Sequence, residues 1–302
     1  MERTQRVEAL FEQEQDFFVT LTTNHERTIA WLRGQRLLPA RRICCNQICF
    51  IRRNARSIDG EMFRCNACGS KYNIRDGTRW ERFRRTPLVL IVRIVFHYFP
   101  NQYSANRTFE VLNALHVRIS YETVKRIYRE IRRSISDYMN LGLYSRPLRG
   151  RIQMDEALFT HRAGPGRRGS RQVWVVGMLE ERTSEAFCFV VQNRNARTIN
   201  QLVQQYILPG SFIIHDGWGG YNGIPHNYRH HRCLNREGEV DNTSRVEGLW
   251  GELRAFVRNI YSGGIIEGNI RTFMQELNFR RRVRTLRLSF VQELVFVLRN
   301  YQ

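Results

Sequence analysis

Three carboxylates stand out by their placement. Asp155 lies inside Arg151–Phe159, RIQMDEALF, where Ile152, Met154 and Leu158 alternate with other residues. That alternation reads as a half-buried β-strand, a setting that disfavours aspartate unless something compensates it. Asp216 follows 61 residues later and ends the apolar run Phe212-Ile213-Ile214 just before Gly217. It therefore stands at the C-terminal end of a strand, where open sheets hold their sites. Glu247, another 31 residues on, falls in NTSRVEGLWGELRAFVRN, where Val246, Leu249, Trp250, Leu253 and Val257 recur at helical spacing. Each acid alone reads most simply as a cap, a turn or a surface residue. Together, two strand aspartates and one helix glutamate suit a pair of divalent cations, which take hard oxygen ligands and need bridging carboxylates to offset their charge.

The elements that must position these acids follow from the same patterns. Strands are expected over 151–159, 172–180, 185–192, 211–216 and 229–234, with helices over 196–207, 242–259, 265–283 and 288–300. Three strands, a helix, then alternating strands and helices fit an RNase H-like α/β domain, a mixed five-stranded sheet with flanking helices. Loop 160–170 carries Arg162, Arg167 and Arg168, which could clamp DNA phosphates beside Asp155 or form only a hairpin tip. On the Glu247 helix, Arg254 and Arg258 continue the glutamate's own stripe. Trp218 and Trp250 read as core or wall residues, with stacking on an unpaired base as the other role open to them. His215, His226, His230 and His231 have no metal-ligand spacing and read as polar surface or DNA contacts.

At these residues the chain resembles the Merlin superfamily of DDE transposases and their bacterial insertion-sequence relatives. The resemblance rests on the MDEALF strand, the QVWVVGMLEERT hairpin, the IIHDGWGGY segment, the TSRVEGLW helix and the downstream FMQELNFRRR. It implies that Asp155, Asp216 and Glu247 are catalytic and bind two Mg2+ or Mn2+ ions per site. It also implies a cut-and-paste transposase acting on transposon terminal inverted repeats and target DNA, as a homodimer or higher oligomer on that DNA. Where those relatives commonly have a histidine five residues before the glutamate, Asn242 stands here. The other readings are a domesticated, non-catalytic DNA-binding regulator and a structure-selective RNase H-like nuclease.

Composition agrees with a nucleic-acid partner. The chain has 302 residues and a net charge of +20, with 42% hydrophobic residues, enough for a normal core. Residues 41–151 hold 23 basic against 8 acidic side chains, whereas 1–40 hold 5 against 6 and 152–302 hold 20 against 14. The middle segment is thus the part that faces a polyanion. Only Lys71 and Lys125 are lysines, and arginine's planar fork suits phosphate and guanine. No apolar run reaches a membrane span and no signal peptide opens the chain, so the expected location is the nucleus of a eukaryotic cell or the nucleoid of a bacterial one, without membrane or secretion.

The basic segment divides in two. Within 41–80, CCNQICFIRRNARSIDGEMFRCNAC has the cysteine spacing of a zinc ribbon, with one structural Zn2+ bound by Cys45, Cys49, Cys65 and Cys68 and with Cys44 as the competing ligand. Within 81–149, an apolar helix over Pro87–Phe99 precedes two helices, 105–115 and 121–139, which Ser104 and Ser120 cap around a turn at 116–119. This is a helix-turn-helix candidate whose second helix carries Lys125, Arg126, Arg129 and Arg132, unless it is a plain helical hairpin with a solvated basic face. Residues 1–40 read as two bracing helices, Arg6–Thr20 and His25–Arg36, and 150–302 as the catalytic domain.

Overall fold

The computed structural model describes residues 16–98, 103–141, 146–162, 170–234, 239–260, 267–286 and 288–300, without the side chains of 160–162, 170–171, 257–260 and 267–270. The expected helix Arg6–Thr20 lies largely outside the described residues, although 16–23 are helical. The chain forms two compact units, one of Met1–Ser134 with Ser289–Gln302 and one of Ile135–Leu288. Among the described residues no helix is long and apolar enough to cross a membrane.

The first unit begins with α1 (His25–Gly34), which Asn24 caps by accepting from the Arg27 N–H. Four short antiparallel strands follow in the order β1-β2-β3-β4: β1 (Arg42–Cys44), β2 (Gln47–Arg53), β3 (Glu61–Arg64) and β4 (Lys71–Asn73). Then come α2 (Leu88–Tyr98), α3 (Ala105–Ala114) and α4 (Tyr121–Asn140), which from Ile135 onward belongs to the second unit, with α8 (Phe290–Asn300) from the C-terminal end. Phe18, Trp31, Leu32, Trp80, Phe96, Leu294 and Leu298 line one apolar space here, and Phe18 stacks on Phe96 at 4.9 Å.

Beneath the small sheet lies a charge pair out of reach of water. Arg75 donates from Nε and Nη2 to the two oxygens of Asp59 at 2.5 Å each, and its remaining donors reach the carbonyls of Phe83 and Thr86. Asp59 also accepts from the Leu88 N–H, so the pair ties the Asp59-Gly60 turn to the start of α2. Both side chains are fully buried. Removing one partner of such a pair strands the other in a low dielectric, so Arg75→Ala is expected to cost about 3–5 kcal/mol in urea unfolding. A loss under about 1 kcal/mol would show that water or a neighbour takes over the Asp59 charge.

The second unit is built on a five-stranded sheet in the order β7-β6-β5-β8-β9. Its strands are β5 (Arg151–Arg162), β6 (Ser170–Glu180), β7 (Ala186–Val191), β8 (Phe212–His215) and β9 (Arg229–Arg232). The first three pair antiparallel, and β8 and β9 extend the sheet in parallel. This arrangement, with α5 (Ala196–Tyr206) before β8 and with α6 (Ser244–Ile260) and α7 (Glu267–Leu286) after β9, fits the RNase H-like order expected from the sequence.

Alternation along β5 divides the two faces of this sheet. Ile152 and Met154 join Val176, Met178, Ile199, Val203 and Ile213 in the core on one face. Gln153 and Asp155 turn towards α6 on the other. The edge strand β7 is held by Asn278 of α7, which donates to the Cys188 carbonyl and accepts from its N–H. Those bonds occupy backbone groups that an edge strand would otherwise leave open.

Candidate active site and metal centre

Gln153 of β5 pairs with Ile214 of β8 in parallel register, and continuing that register by two residues brings Asp155 level with Asp216. Asp216 ends β8 because Gly217 follows at φ 86°, and a Cβ there would run into the Arg232 side chain. The Trp218 N–H donates to Asp216 Oδ1 at 2.9 Å, which orients the carboxylate. Glu247 lies in the first turn of α6, where Thr243 donates to its Oε1 at 2.7 Å.

Contacts with β5 beside the acids help to hold α6 against the sheet. Gln153 Oε1 accepts the backbone N–H groups of Arg245 and Val246, so a strand side chain satisfies donors that the helix start leaves unpaired. One turn beyond Glu247, the Trp250 indole donates to Asp155 Oδ2 at 2.7 Å. The ring fits because residue 177, the β6 partner of Asp155, is glycine: an added Cβ would stand 2.7 Å from the indole. Gly177→Ala is therefore expected to cost about 1–3 kcal/mol through overpacking and to lower activity, because the indole must move off Asp155. Urea unfolding together with a turnover assay checks both effects.

The electrostatics agree with this grouping. Burial pushes the Asp155 carboxyl above its ordinary range, Trp250 and the Glu156 N–H oppose the rise, and the charges of Asp216 and Glu247 add to it. A buried carboxylate whose ionisation is resisted both by burial and by neighbouring negative charge is a setting that a divalent cation relieves, and oxygen donors of this kind suit Mg2+ or Mn2+. On the opposite face of β5, burial raises Glu156 to about 6, with Tyr221 and Arg194 pulling it down and the two aspartates pushing it up. His215 is buried, stacks on Tyr221 at 4.3 Å and lies 3.1 Å from His230, and burial lowers it to about 4. It is part of the sheet's packing and not polar surface.

A cluster of four thiols that could hold a metal ion lies in the small sheet. Cys45 and Asn46, at φ 51° and 57°, form the two-residue turn between β1 and β2. Cys65-Asn66-Ala67-Cys68 closes with Gly69 at φ 71°, whose N–H bonds the Cys65 carbonyl. The thiols of Cys44, Cys45, Cys65 and Cys68 all lie within 4.8 Å of one another. Cys44 Sγ is 3.7 Å from Cys45 and 3.6 Å from Cys68. Tetrahedral zinc at ~2.3 Å from sulfur places its ligands ~3.8 Å apart. The structure thus gathers Cys44, and not Cys49, with the other three. Cys49 is buried on β2 opposite Arg42, near enough to Cys65 for that charge to raise its thiol along with burial.

The arginines expected on DNA divide in the structure. In α4, Lys125 pairs with Glu122 at 2.7 Å, Arg129 lies 3.8 Å from Glu122, and Arg126 donates to the Arg82 carbonyl, all on the outer side. Arg132 instead turns inward at 7% exposure and donates to the Tyr98 hydroxyl, which removes it from any basic face. Ser104 and Ser120 accept from the N–H groups of Arg107 and Thr123 as expected, and His116 takes φ 57° in the turn. Arg254 is exposed, its guanidinium 5.2 Å from the Phe159 ring. Arg167 and Arg168 lie outside the described residues, as do the side chains of Arg162 and Arg258.

Residues 147–282, a little under half of the chain, match the DDE-type family of ISXO2-like transposase domains. The resemblance to DDE transposases read from the sequence is thereby upheld on this segment. The span takes in the whole mixed sheet and the positions of Asp155, Asp216 and Glu247. Two solved structures also align. A pre-cleavage Mos1 transpososome shares 10% identity at a TM-score of 0.27, over 66% of this chain and 80% of that one. A Mos1 transposase paired-end complex with the left transposon end shares 10% at 0.28, over 70% and 79%. TM-scores this low add nothing to the assignment. No curated protein matches the sequence.

Proposed function

We propose that this chain, a relative of DDE transposases, binds transposon ends and cleaves and joins DNA in a metal-dependent cut-and-paste reaction. The observation that supports it most is the convergence on Asp155, within a transposase-type domain, of the Asp216 and Glu247 charges and the Trp250 indole. Asp155, Asp216 and Glu247 would hold two Mg2+ or Mn2+ ions. When bound, the ions supply Lewis acidity that activates water, then a DNA 3′-hydroxyl, and that offsets charge on the leaving oxygen of an in-line displacement.

The protein's own groups prepare that chemistry. Trp218 fixes one rotamer of Asp216, Trp250 fixes Asp155, and Gln153 anchors the helix that carries Glu247. Recognition of the ends falls to α3 and α4, read as a helix-turn-helix with Lys125, Arg126 and Arg129 towards DNA, beside a ribbon with one structural zinc. Arg254, with Arg258, Arg162, Arg167 and Arg168, forms the track for the DNA backbone near the metals. The active form is a dimer or higher oligomer on DNA, in the nucleus or nucleoid.

Labelled element ends incubated with plasmid and Mg2+ or Mn2+ test the reading. Joined products support a transposase, whereas cleavage without joining would indicate a structure-selective nuclease. End binding without either product would indicate a domesticated regulator.

A further inference from the structure

Arg194, in the loop between β7 and α5, does not belong to the carboxylate trio, yet it packs against Trp218, whose backbone N–H holds Asp216. Its guanidinium is layered between two indoles, 4.0 Å from the Trp174 ring centre and 3.8 Å from that of Trp218. Nη1 approaches Glu156 Oε2 at 3.5 Å, and that glutamate side chain is only 2% exposed. The backbone carbonyl of Arg194 accepts from Trp218 Nε1 at 3.4 Å. Trp218 is thus held at its ring face and at its indole N–H, while its backbone N–H holds Asp216 Oδ1.

Trp218 is 42% exposed. An indole that far out in water has little burial to fix it, so its position depends on the guanidinium and the carbonyl beneath. Arginine suits this place because its flat fork stacks on both rings while still reaching a carboxylate, which an ammonium cannot do. Groups that orient metal-binding carboxylates from behind typically change metal affinity about 10–100-fold when removed.

We propose that Arg194 is a positioning residue for Asp216: the Glu156–Arg194–Trp218 stack sets the carboxylate's orientation and thereby the affinity of the site for a divalent cation. This rests on Asp216 being a metal-binding residue, as read above. It assigns Arg194 no contact with DNA.

Mn2+ titration of the DNA-free full-length protein, followed by electron paramagnetic resonance, tests it with wild type, Arg194→Ala, Trp218→Phe and Asp216→Asn. Arg194→Ala is expected to weaken Mn2+ binding about 10–100-fold while leaving the affinity for element-end DNA in EDTA unchanged. Trp218→Phe, which keeps a ring but loses the indole N–H, is expected to give a smaller loss in the same direction, and it decides the matter if Arg194→Ala does not fold. If Asp216→Asn loses Mn2+ while the folded Arg194 and Trp218 variants bind it like wild type, the positioning role is overturned and the metal site stands. Unchanged Mn2+ binding with weakened DNA binding in Arg194→Ala would also overturn it, making Arg194 a phosphate contact. If Asp216→Asn binds Mn2+ like wild type, Asp216 is no ligand, and the reading beneath the proposal fails with it.

Discussion

Asp155→Asn, Asp216→Asn and Glu247→Gln are each expected to abolish cleavage and strand transfer while leaving the fold and DNA binding intact. Each change removes one charged oxygen of the proposed metal site and keeps the shape of the side chain, so the expected loss is of transition-state stabilisation. Several kcal/mol from that source corresponds to about 10³-fold or more in rate. Stability moves the other way when no metal is present. Asp155 is held by burial and by the Asp216 and Glu247 charges in a setting that resists its ionisation, so neutralising it relieves repulsion. The melting temperature of metal-free Asp155→Asn is therefore expected to equal or exceed that of wild type. Saturating Mn2+ should raise only the wild-type melting temperature, because a hundredfold excess over the dissociation constant stabilises the folded state by ~2.7 kcal/mol. Near-normal joining by any folded single variant would remove that residue from the site.

The positions of the three acids were legible because each breaks a local pattern. Asp155 interrupts an alternating strand, Asp216 stops an apolar run at a glycine, and Glu247 sits beside a helical stripe, and β5, β8 and α6 form where those patterns put them. What supports the acids was not legible, since it depends on register between elements far apart in the chain. Gly177 makes room for Trp250 only because it is the β6 partner of Asp155, and no window of sequence shows that pairing. Gln153 capping α6, 92 residues away, is hidden for the same reason. Arg194 escaped notice as one loop arginine among many, and only the folded chain brings it onto Trp174 and Trp218.

Two further placements have a signal readable in the sequence. Arg132 stands four residues after Tyr128 and three before Ile135, on the stripe of α4 that also buries Val124, Ile127 and Ile131. Helical spacing alone assigns that position to the inner face, where an arginine needs a partner such as the Tyr98 hydroxyl. In the ribbon, Cys44 and Cys49 compete in the sequence for a place in the first ligand pair, and the tight hairpin turn at Cys45-Asn46 favours Cys44. In the β1–β2 pairing that turn sets, Cys44 stands opposite Gln47 next to the tip, and Cys49 is carried back along the strand to Arg42.

That difference yields a prediction with a large effect. One zinc per chain is expected in carefully purified protein, bound by Cys44, Cys45, Cys65 and Cys68. The strands it joins are short, β1 and β4 having three residues each, and β2 leaves Ile48, Phe50 and Ile51 exposed, so the sheet itself buries little. The metal must then supply much of the ribbon's folding energy, and structural zinc in comparable small sites contributes about 10–16 kcal/mol. Chelation should unfold the ribbon at neutral pH while the second unit keeps its own melting transition. Cys44→Ser should lose the zinc, whereas Cys49→Ser should keep it, because Cys49 is buried on β2 outside the group of four thiols. Elemental analysis of the two variants decides between them: zinc retained in Cys44→Ser and lost in Cys49→Ser would restore the Cys45–Cys49 pair and show that the tip of the hairpin rearranges around the metal.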